Sequence, residues 1–126
     1  MRQESSVNLS IVIPVFNEKQ YLVKLFSDIK NSFNKNNIEV IIVNDGSYDG
    51  SENILEDFKK NDYQFKYILI NIGKNSGKGY AVREGLKKSN GKYILLQDAD
   101  LELDVKDSKE IYEIIQKDQT IKCIFG

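Results

Sequence analysis

Short apolar runs alternate along the chain with amphipathic segments of helical period. Three runs are continuous and rich in β-branched or bulky apolar residues, at Leu9–Phe16, Val40–Val43 and Tyr93–Leu96. Runs of this length and composition are typical of strands that are buried on both faces of a sheet. Two more strands are predicted at Phe65–Ile70 and Lys122–Phe125. The pattern therefore predicts five strands.

Four helices are predicted between these strands. Apolar residues recur every three or four positions in each helix, as expected for a helix with one buried face. Tyr21, Phe26 and Phe33 are predicted core residues of the first helix, and Ile111, Ile114 and Ile115 of the last. The helices are predicted at about 21–33, 51–60, 79–88 and 106–117, with Ser51 as an N-cap. Alternating strands and helices joined by short polar loops predict a mostly parallel sheet covered on both faces.

Composition narrows the classes of protein to consider. The chain has 126 residues, 40% of them hydrophobic, which predicts a single domain, over 9–126. The polar segment 1–8 is predicted to be a flexible leader. The net charge of −1 argues against nucleic acid as a partner, and the absence of histidine excludes a His-based triad or a His-ligated zinc. A single cysteine, Cys123, and no apolar run near the roughly 20 residues of a membrane span favour a cytoplasmic protein.

Three acids follow the strand at Tyr93–Leu96, at the alternate positions Asp98, Asp100 and Glu102. If the chain stays extended there, alternation places the three side chains on one side, close enough to share a cation. Carboxylate oxygens suit Mg or Mn. The alternative is a polar exit from the strand with solvated acids, and for the Asp-Ala-Asp motif alone that alternative is favoured.

Two more polar segments follow predicted strands. Asn17 and Glu18 follow the first strand, and Asp45-Gly46-Ser47 follows the second. In parallel sheets ligands bind beyond the carboxyl ends of the strands, so these segments and the three acids predict a site on one rim. Glu18 alone could be a favourable acid at a helix start, and Asp45-Gly46-Ser47 alone a β-turn. Asp49 and Ser51 are interpreted as structural residues of the next helix.

A glycine-rich loop, Gly73–Gly79, follows the third strand. It is not a P-loop, because its glycine spacing is one residue short and Gly79 stands where Ser or Thr should be. Its glycines would still allow the backbone to approach a phosphate, and Lys78 supplies a positive charge. Arg83 follows one helical turn later and is predicted to face the same region. A flexible loop and a solvated helix arginine are the alternatives.

Four of these motifs together resemble family 2 glycosyltransferases, in the family's order and spacing. The motifs are Val12–Glu18, Val43–Ser47, Asn75–Ala81 and Gln97–Glu102. The nearest likeness is to the branch of dolichol-phosphate mannose synthases and polyprenyl-phosphate glycosyltransferases. It implies a GT-A fold, which is a Rossmann-like three-layer α/β/α sandwich, here expected to be a truncated, N-terminal part of the domain.

The resemblance implies roles for individual residues. Pro14, Val15 and Glu18 would line the nucleoside pocket, Asp45 would hold the base, and Lys78 would lie near the nucleotide. Asp98 would sit by the ribose and the metal, with Asp100 as the main metal ligand and Glu102 close to it. Asn44 departs from the pattern, because many relatives have aspartate there. The acceptor-binding half, which supplies the catalytic base in many relatives, is expected to be missing, so the catalytic residues stay unknown.

The function implied is inverting transfer from a nucleotide-diphosphate sugar, GDP-mannose or a UDP-hexose, with Mg or Mn. The acceptor would be a polyprenyl phosphate at the cytoplasmic face of a membrane, and a homodimer is expected from exposed sheet edges. A non-catalytic nucleotide-sugar-binding module is the alternative. A receiver-like signalling domain is disfavoured, because the glycine-rich loop with Lys78 and the pair of Asp98 and Asp100 do not fit the arrangement of residues in such domains.

Overall fold

The computed structural model describes residues 7–33, 37–61, 63, 65–100, 105–117 and 123–125, and strands and helices alternate along this part of the chain. The elements are β1 (Leu9–Val15), α1 (Lys19–Phe33), β2 (Ile38–Asp45), α2 (Ser51–Phe58), β3 (Lys66–Ile72), α3 (Lys78–Lys88), β4 (Tyr93–Leu96), α4 (Val105–Lys117) and β5 (Cys123–Phe125). All nine predicted elements are confirmed, with bounds that shift by no more than two residues. The side chains of Ile115 and Cys123 lie outside the described part, so their burial stays a prediction.

The five strands form one parallel sheet in the order β3-β2-β1-β4-β5. The chain builds the sheet outward from β1 to β3 and then returns to the other side of β1 to add β4 and β5. This reversal makes the gap between β1 and β4 a topological switch point, where ligands of open α/β sheets bind.

Pro14 shows how this gap opens. Successive residues of a strand direct their backbone polar groups to alternate sides. The carbonyl of Val12 accepts a bond of 3.0 Å from the amide of Gln97 on the β4 side, so Pro14 also faces β4. The pairing of β1 with β4 ends at Val12 and Leu96, while β1 continues beside β2 to Val15. The missing N–H of Pro14 therefore costs the sheet nothing.

Helices cover both faces of the sheet. On one face α1, α2 and α4 pack over the larger core, to which they contribute Leu25, Leu55 and Tyr112. On the other face α3 packs through Ala81 over Val12 and its neighbours in β2. The structure is a three-layer α/β/α sandwich with a parallel sheet, which confirms the predicted fold class.

The buried face of α4 differs from the prediction. Ile111 and Ile114 are 41% and 67% exposed, whereas Val105, Ser108 and Tyr112 are buried. The Tyr112 ring packs against the aromatic rings of Phe33 in α1 and Tyr93 in β4, and its hydroxyl accepts a hydrogen bond from the Asn8 side chain. The prediction was wrong because the buried face carries two hydroxyl groups, so apolar periodicity marked the neighbouring face instead.

The start of α2 also differs from the prediction. Gly50 is the N-cap residue, and Ser51 is the first residue of the helix and fully buried. The Ser51 hydroxyl donates to Asp49 Oδ1 over 2.6 Å, and the Ser51 amide donates to the same oxygen over 2.9 Å. Asp49 Oδ2 accepts a bond of 3.1 Å from the amide of Lys19, where α1 begins. Asp49, rather than Ser51, therefore supplies the capping oxygens, and it does so for two helices.

Candidate functional site

A cleft of about 420 Å³ lies at the carboxyl ends of β1, β2 and β4, beside the start of α3. Its lining includes the predicted residues Pro14, Val15, Glu18, Asp45, Lys78, Asp98 and Asp100. Phe16, Asn75, Gly77 and Ala99 are the other lining residues in the described part of the chain. Glu102 lies outside the described residues. Segments that are distant along the chain therefore meet at the switch point between β1 and β4.

Asp45 is buried at the end of β2 and holds the glycine-rich loop in place. Its Oδ1 accepts the amide of Ser76 over 2.8 Å, and its Oδ2 accepts the amide of Gly77 over 3.0 Å. The side-chain amide of Asn75 donates to Oδ2 over 3.2 Å and to the Asp45 carbonyl over 3.3 Å. A carboxylate offers about four acceptor positions. These contacts leave one on Oδ1.

Gly46 lets two loops of the cleft pack directly against each other. Its φ is +71°, and a Cβ at this position would lie 2.3 Å from the backbone nitrogen of Asn75. Any side chain would therefore push the loops apart and strain the backbone. The prediction of a turn at Asp45-Gly46-Ser47 and the prediction of a site residue at Asp45 are compatible, because the turn brings the carboxylate against the second loop.

Asn44 uses both ends of its side-chain amide at the same rim. Its oxygen accepts the amide of Ser47 over 3.2 Å, and its nitrogen donates to the Asn71 side chain over 3.1 Å. An aspartate could make the first bond but could not donate the second. The departure from the family pattern at this position thus serves to join the ends of β2 and β3.

Asn17 fixes the chain just before Glu18. It lies in the left-handed region at φ 52°, and its backbone amide donates to the Ser47 hydroxyl over 3.0 Å. Its side-chain oxygen accepts the amide of Tyr48 over 2.9 Å. Asparagine tolerates this backbone conformation better than most residues. The exits of β1 and β2 are therefore tied together, and Glu18 is held at the cleft.

Negative charge accumulates around Glu18. The pKa of Glu18 is raised, first by burial and then by the charges of Asp100, Asp49 and Asp98. The Asp98 carboxylate in turn pairs with the ammonium group of Lys78 over 2.5 Å. The cleft thus combines a cluster of carboxylates with a lysine at the amino end of a helix.

The donor set fits a hard divalent cation only in part. Within the described ranges, no group of three or more histidine, cysteine or acidic side chains is arranged to hold a metal. Asp98 and Asp100 supply two carboxylates at the cleft. Mg²⁺ is commonly bound by one or two carboxylates together with substrate phosphates, so the residues present fit a metal that arrives with a diphosphate.

Several residues that shape the site were not singled out by the sequence. Gln97, which directly precedes Asp98, is buried, and its side-chain oxygen accepts a hydrogen bond of 2.8 Å from Ser108 of α4. The side chain of Asn75 donates a hydrogen bond to Asp45. Phe16 lines the cleft with an aromatic side chain that is 38% exposed. Arg83, predicted to face the same region, is exposed and is not among the lining residues.

Comparison with known proteins agrees with this architecture. The family model described as "Glycosyl transferase family 2" matches residues 10–125. A dolichyl-phosphate beta-glucosyltransferase of Dictyostelium discoideum is 30% identical over 119 residues, which cover 89% of this chain and 36% of the relative. A poly-beta-1,6-N-acetyl-D-glucosamine synthase of Staphylococcus epidermidis is 30% identical over 118 residues, which cover 94% of this chain and 28% of the relative.

Solved structures show the same fold. The S. aureus protein TarS in complex with UDP matches with a TM-score of 0.73 at 21% identity, over 90% of this chain and 33% of that one. The mannosyltransferase PcManGT of Pyrobaculum calidifontis, in complex with GDP-Man and Mn²⁺, matches with a TM-score of 0.70 at 18% identity, over 83% of this chain and 31% of that one.

The sheet order, the cleft and these neighbours define a GT-A fold. The chain belongs to glycosyl transferase family 2, and it spans about a third of the length of the relatives it matches. Among the described helices, none combines the length and the apolarity that crossing a bilayer requires.

Proposed function

We propose that the chain is the donor-binding part of a glycosyltransferase that uses a nucleotide-diphosphate sugar and a divalent metal. The observation that carries this proposal is the convergence of four sequence motifs on one cleft at the switch point of the sheet. The lining of the cleft combines the buried carboxylate of Asp45 with the carboxylates of Asp98 and Asp100 and the ammonium group of Lys78. These are the groups that a nucleoside diphosphate with its metal requires.

The nucleoside would lie against Pro14, Val15 and Asp45. The remaining acceptor position on Asp45 Oδ1 would take one N–H of the base, while the loop amides hold the carboxylate in its orientation. Glu18 would accept a hydrogen bond from a ribose hydroxyl. Base contacts of this kind suit both uracil and guanine, because each presents a ring N–H.

The diphosphate would lie between the start of α3 and the acids after β4. Asp98 and Asp100, with Glu102 in the sequence beside them, would hold Mg or Mn. A bound divalent cation would offset the charge that develops on the departing diphosphate. Lys78 would contribute a second positive charge on the same oxygens.

The reaction proposed is an inverting displacement with a polyprenyl phosphate as acceptor. An oxygen of the acceptor phosphate attacks the anomeric carbon from the face opposite the diphosphate, and the bond between that carbon and the diphosphate oxygen breaks. A phosphate is already a nucleophile, so this acceptor needs no strong catalytic base. The name of the Dictyostelium relative, a dolichyl-phosphate beta-glucosyltransferase, supports a lipid phosphate as acceptor and an association with a membrane.

Calorimetric titration tests the donor site. GDP, UDP and their mannose and glucose conjugates are titrated with and without Mn²⁺ into the wild type and Asp100→Ala. We expect one nucleotide to bind in a metal-dependent way, and Asp100→Ala to weaken that binding by about tenfold or more, since it removes a charged metal ligand. Asp107→Ala, an exposed acid of α4, is the matched control and should bind as the wild type does.

If none of the nucleotides binds in a metal-dependent way, the proposal is overturned. Binding without transfer or donor hydrolysis, measured on a longer chain that includes the acceptor-binding half, would instead favour the non-catalytic nucleotide-sugar-binding module. The two assays therefore separate a donor site from an enzyme.

A further inference from the structure

Lys78 forms an ion pair with the proposed metal ligand Asp98. The Lys78 ammonium nitrogen lies 2.5 Å from Asp98 Oδ1, and the side chains of the lysine and the aspartate are 66% and 29% exposed. Lys78 is the first residue of α3, whereas Asp98 follows β4 on the other side of the cleft. The pair therefore spans the cleft where the diphosphate is proposed to bind.

The charges that line the cleft make this pair significant. The described lining contains four carboxylates, Glu18, Asp45, Asp98 and Asp100, and one lysine. An anionic diphosphate cannot approach such a surface unless cations offset the repulsion. A divalent metal supplies two positive charges and Lys78 supplies one, so both are needed close to the phosphates.

Both cations compete for the same carboxylate. The Lys78 ammonium group occupies one acceptor position on Asp98 Oδ1, and its positive charge repels a metal ion from the rest of that carboxylate. A lysine carries a point charge on a flexible stem, so the ammonium group of a mostly exposed side chain can swing to another partner at small cost. Gly77 is the N-cap residue of α3, and a Cβ built on it would meet no atom within 4 Å, so the amino end of the helix is accessible. Phosphate oxygens are favoured at such a helix end.

We propose that Lys78 exchanges partners when the donor binds: it neutralises Asp98 in the empty cleft and moves onto the diphosphate when the metal takes its place on Asp98. This inference rests on the proposed function and deepens it. It makes metal and nucleotide binding cooperative, because the diphosphate gives the displaced ammonium group a new partner and also supplies metal ligands. Metal alone must break the ion pair without that compensation.

The test measures the binding of Mn²⁺ alone, through the electron paramagnetic resonance signal of the unbound ion, in wild type and Lys78→Met. Removing the competing ammonium group should tighten the binding of Mn²⁺ alone by about two- to fivefold, the range expected from an exposed ion pair. The same variant should bind the nucleoside diphosphate with saturating Mn²⁺ about tenfold more weakly, because a charged phosphate contact is lost. The exchange predicts changes in opposite directions, whereas loss of a lysine that only contacts phosphate would leave the binding of Mn²⁺ alone unchanged.

Lys87→Met is the matched control. Lys87 lies on the same helix, is 63% exposed and pairs with Glu84 over 2.9 Å, remote from Asp98 in the fold. It should leave both affinities unchanged, whereas Lys78→Arg should keep the weak binding of Mn²⁺ alone. If Lys78→Met leaves the binding of Mn²⁺ alone unchanged or weakens it, the ammonium group does not compete for Asp98 and the inference is wrong.

The two proposals fail in different ways. If the wild type binds no nucleotide with metal, the proposed function is overturned, whatever Lys78→Met does to Mn²⁺ alone. If the wild type binds a nucleotide but its metal-bound complex leaves the ¹⁵N resonance of the Lys78 ammonium group unchanged, the donor site stands and the exchange is refuted. Movement of that resonance with the nucleotide and metal together supports the exchange.

Discussion

Asp45 illustrates, at the scale of a residue, how one buried side chain can be structural and functional together. Its two oxygens receive the backbone amides of Ser76 and Gly77 and the side-chain amide of Asn75. The carboxylate therefore organises the loop that begins α3 before any ligand is present. The proposed contact with a base depends on this preorganisation, because the loop amides fix which lone pair still faces the cleft.

Asp45→Asn should loosen the loop and weaken nucleotide binding together. One carboxylate oxygen, which accepts a backbone N–H in the wild type, becomes an NH₂ group that cannot accept it. A buried N–H left without an acceptor costs about 1–3 kcal/mol. We expect faster amide hydrogen exchange at Ser76 and Gly77, and nucleotide affinity about tenfold or more lower. Asp57→Asn, at an exposed acid of α2, is the control. Unchanged exchange rates at Ser76 and Gly77 would contradict the role given to Asp45.

Asp49 acts at the scale of elements, because it joins the starts of α1 and α2 through the amides of Lys19 and Ser51. Burial acts to raise the pKa of Asp49, but the hydrogen bonds from Ser51 and Lys19 outweigh it, and the pKa is lowered. A carboxyl whose pKa is lower in the folded state stabilises the protein at pH values above its ordinary pKa. That stabilisation is lost as the pH falls through the folded-state pKa.

Asp49→Ala should therefore destabilise the protein at neutral pH by about 1 kcal/mol, the usual cost of losing a capping side chain. The difference from wild type should shrink as the pH falls from the ordinary pKa of aspartate through the lower folded-state pKa of Asp49, because the folded wild type then loses the charge as well. Urea unfolding at several pH values measures this, with Asp57→Ala as the exposed control. A difference that does not change with pH would show that the ionised carboxylate is not what stabilises the two helix starts.

The sequence predicted elements better than it predicted the contacts between them. Continuous β-branched runs and polar strand exits identified β1, β2 and β4 and the rim on which Asp45 and Asp98 lie. The sequence did not predict the buried face of α4, because Ser108 and Tyr112 carry polar atoms. The partners of these atoms, Gln97 and Asn8, lie in other segments of the chain. Such pairs carry no local periodicity, so only the folded structure reveals them.

At the scale of the whole molecule, the sheet ends in the edge strands β3 and β5 within the described part of the chain. Edge strands present unpaired backbone groups to other chains. We propose that the chain forms homodimers through such an edge, which sedimentation velocity over a wide concentration range would detect. A monomer at every concentration would contradict this. Ile111→Lys with Ile114→Lys is the control: if it abolishes the dimer, the exposed face of α4 is the interface instead.

The central position of β1 has a consequence for how the protein is made. Leu9 pairs with Ile38 on one side and with Tyr93 on the other. During translation, β1, β2 and β3 emerge from the ribosome in turn, and β4 follows only after α3 has been synthesised. Until then the apolar strand β1 is an edge strand of the nascent sheet, and its backbone groups on the β4 side have no partner strand. Chaperones that bind extended apolar segments would meet the chain at this stage, and the cleft, which includes Asp98 after β4, is complete only once β4 has paired with β1.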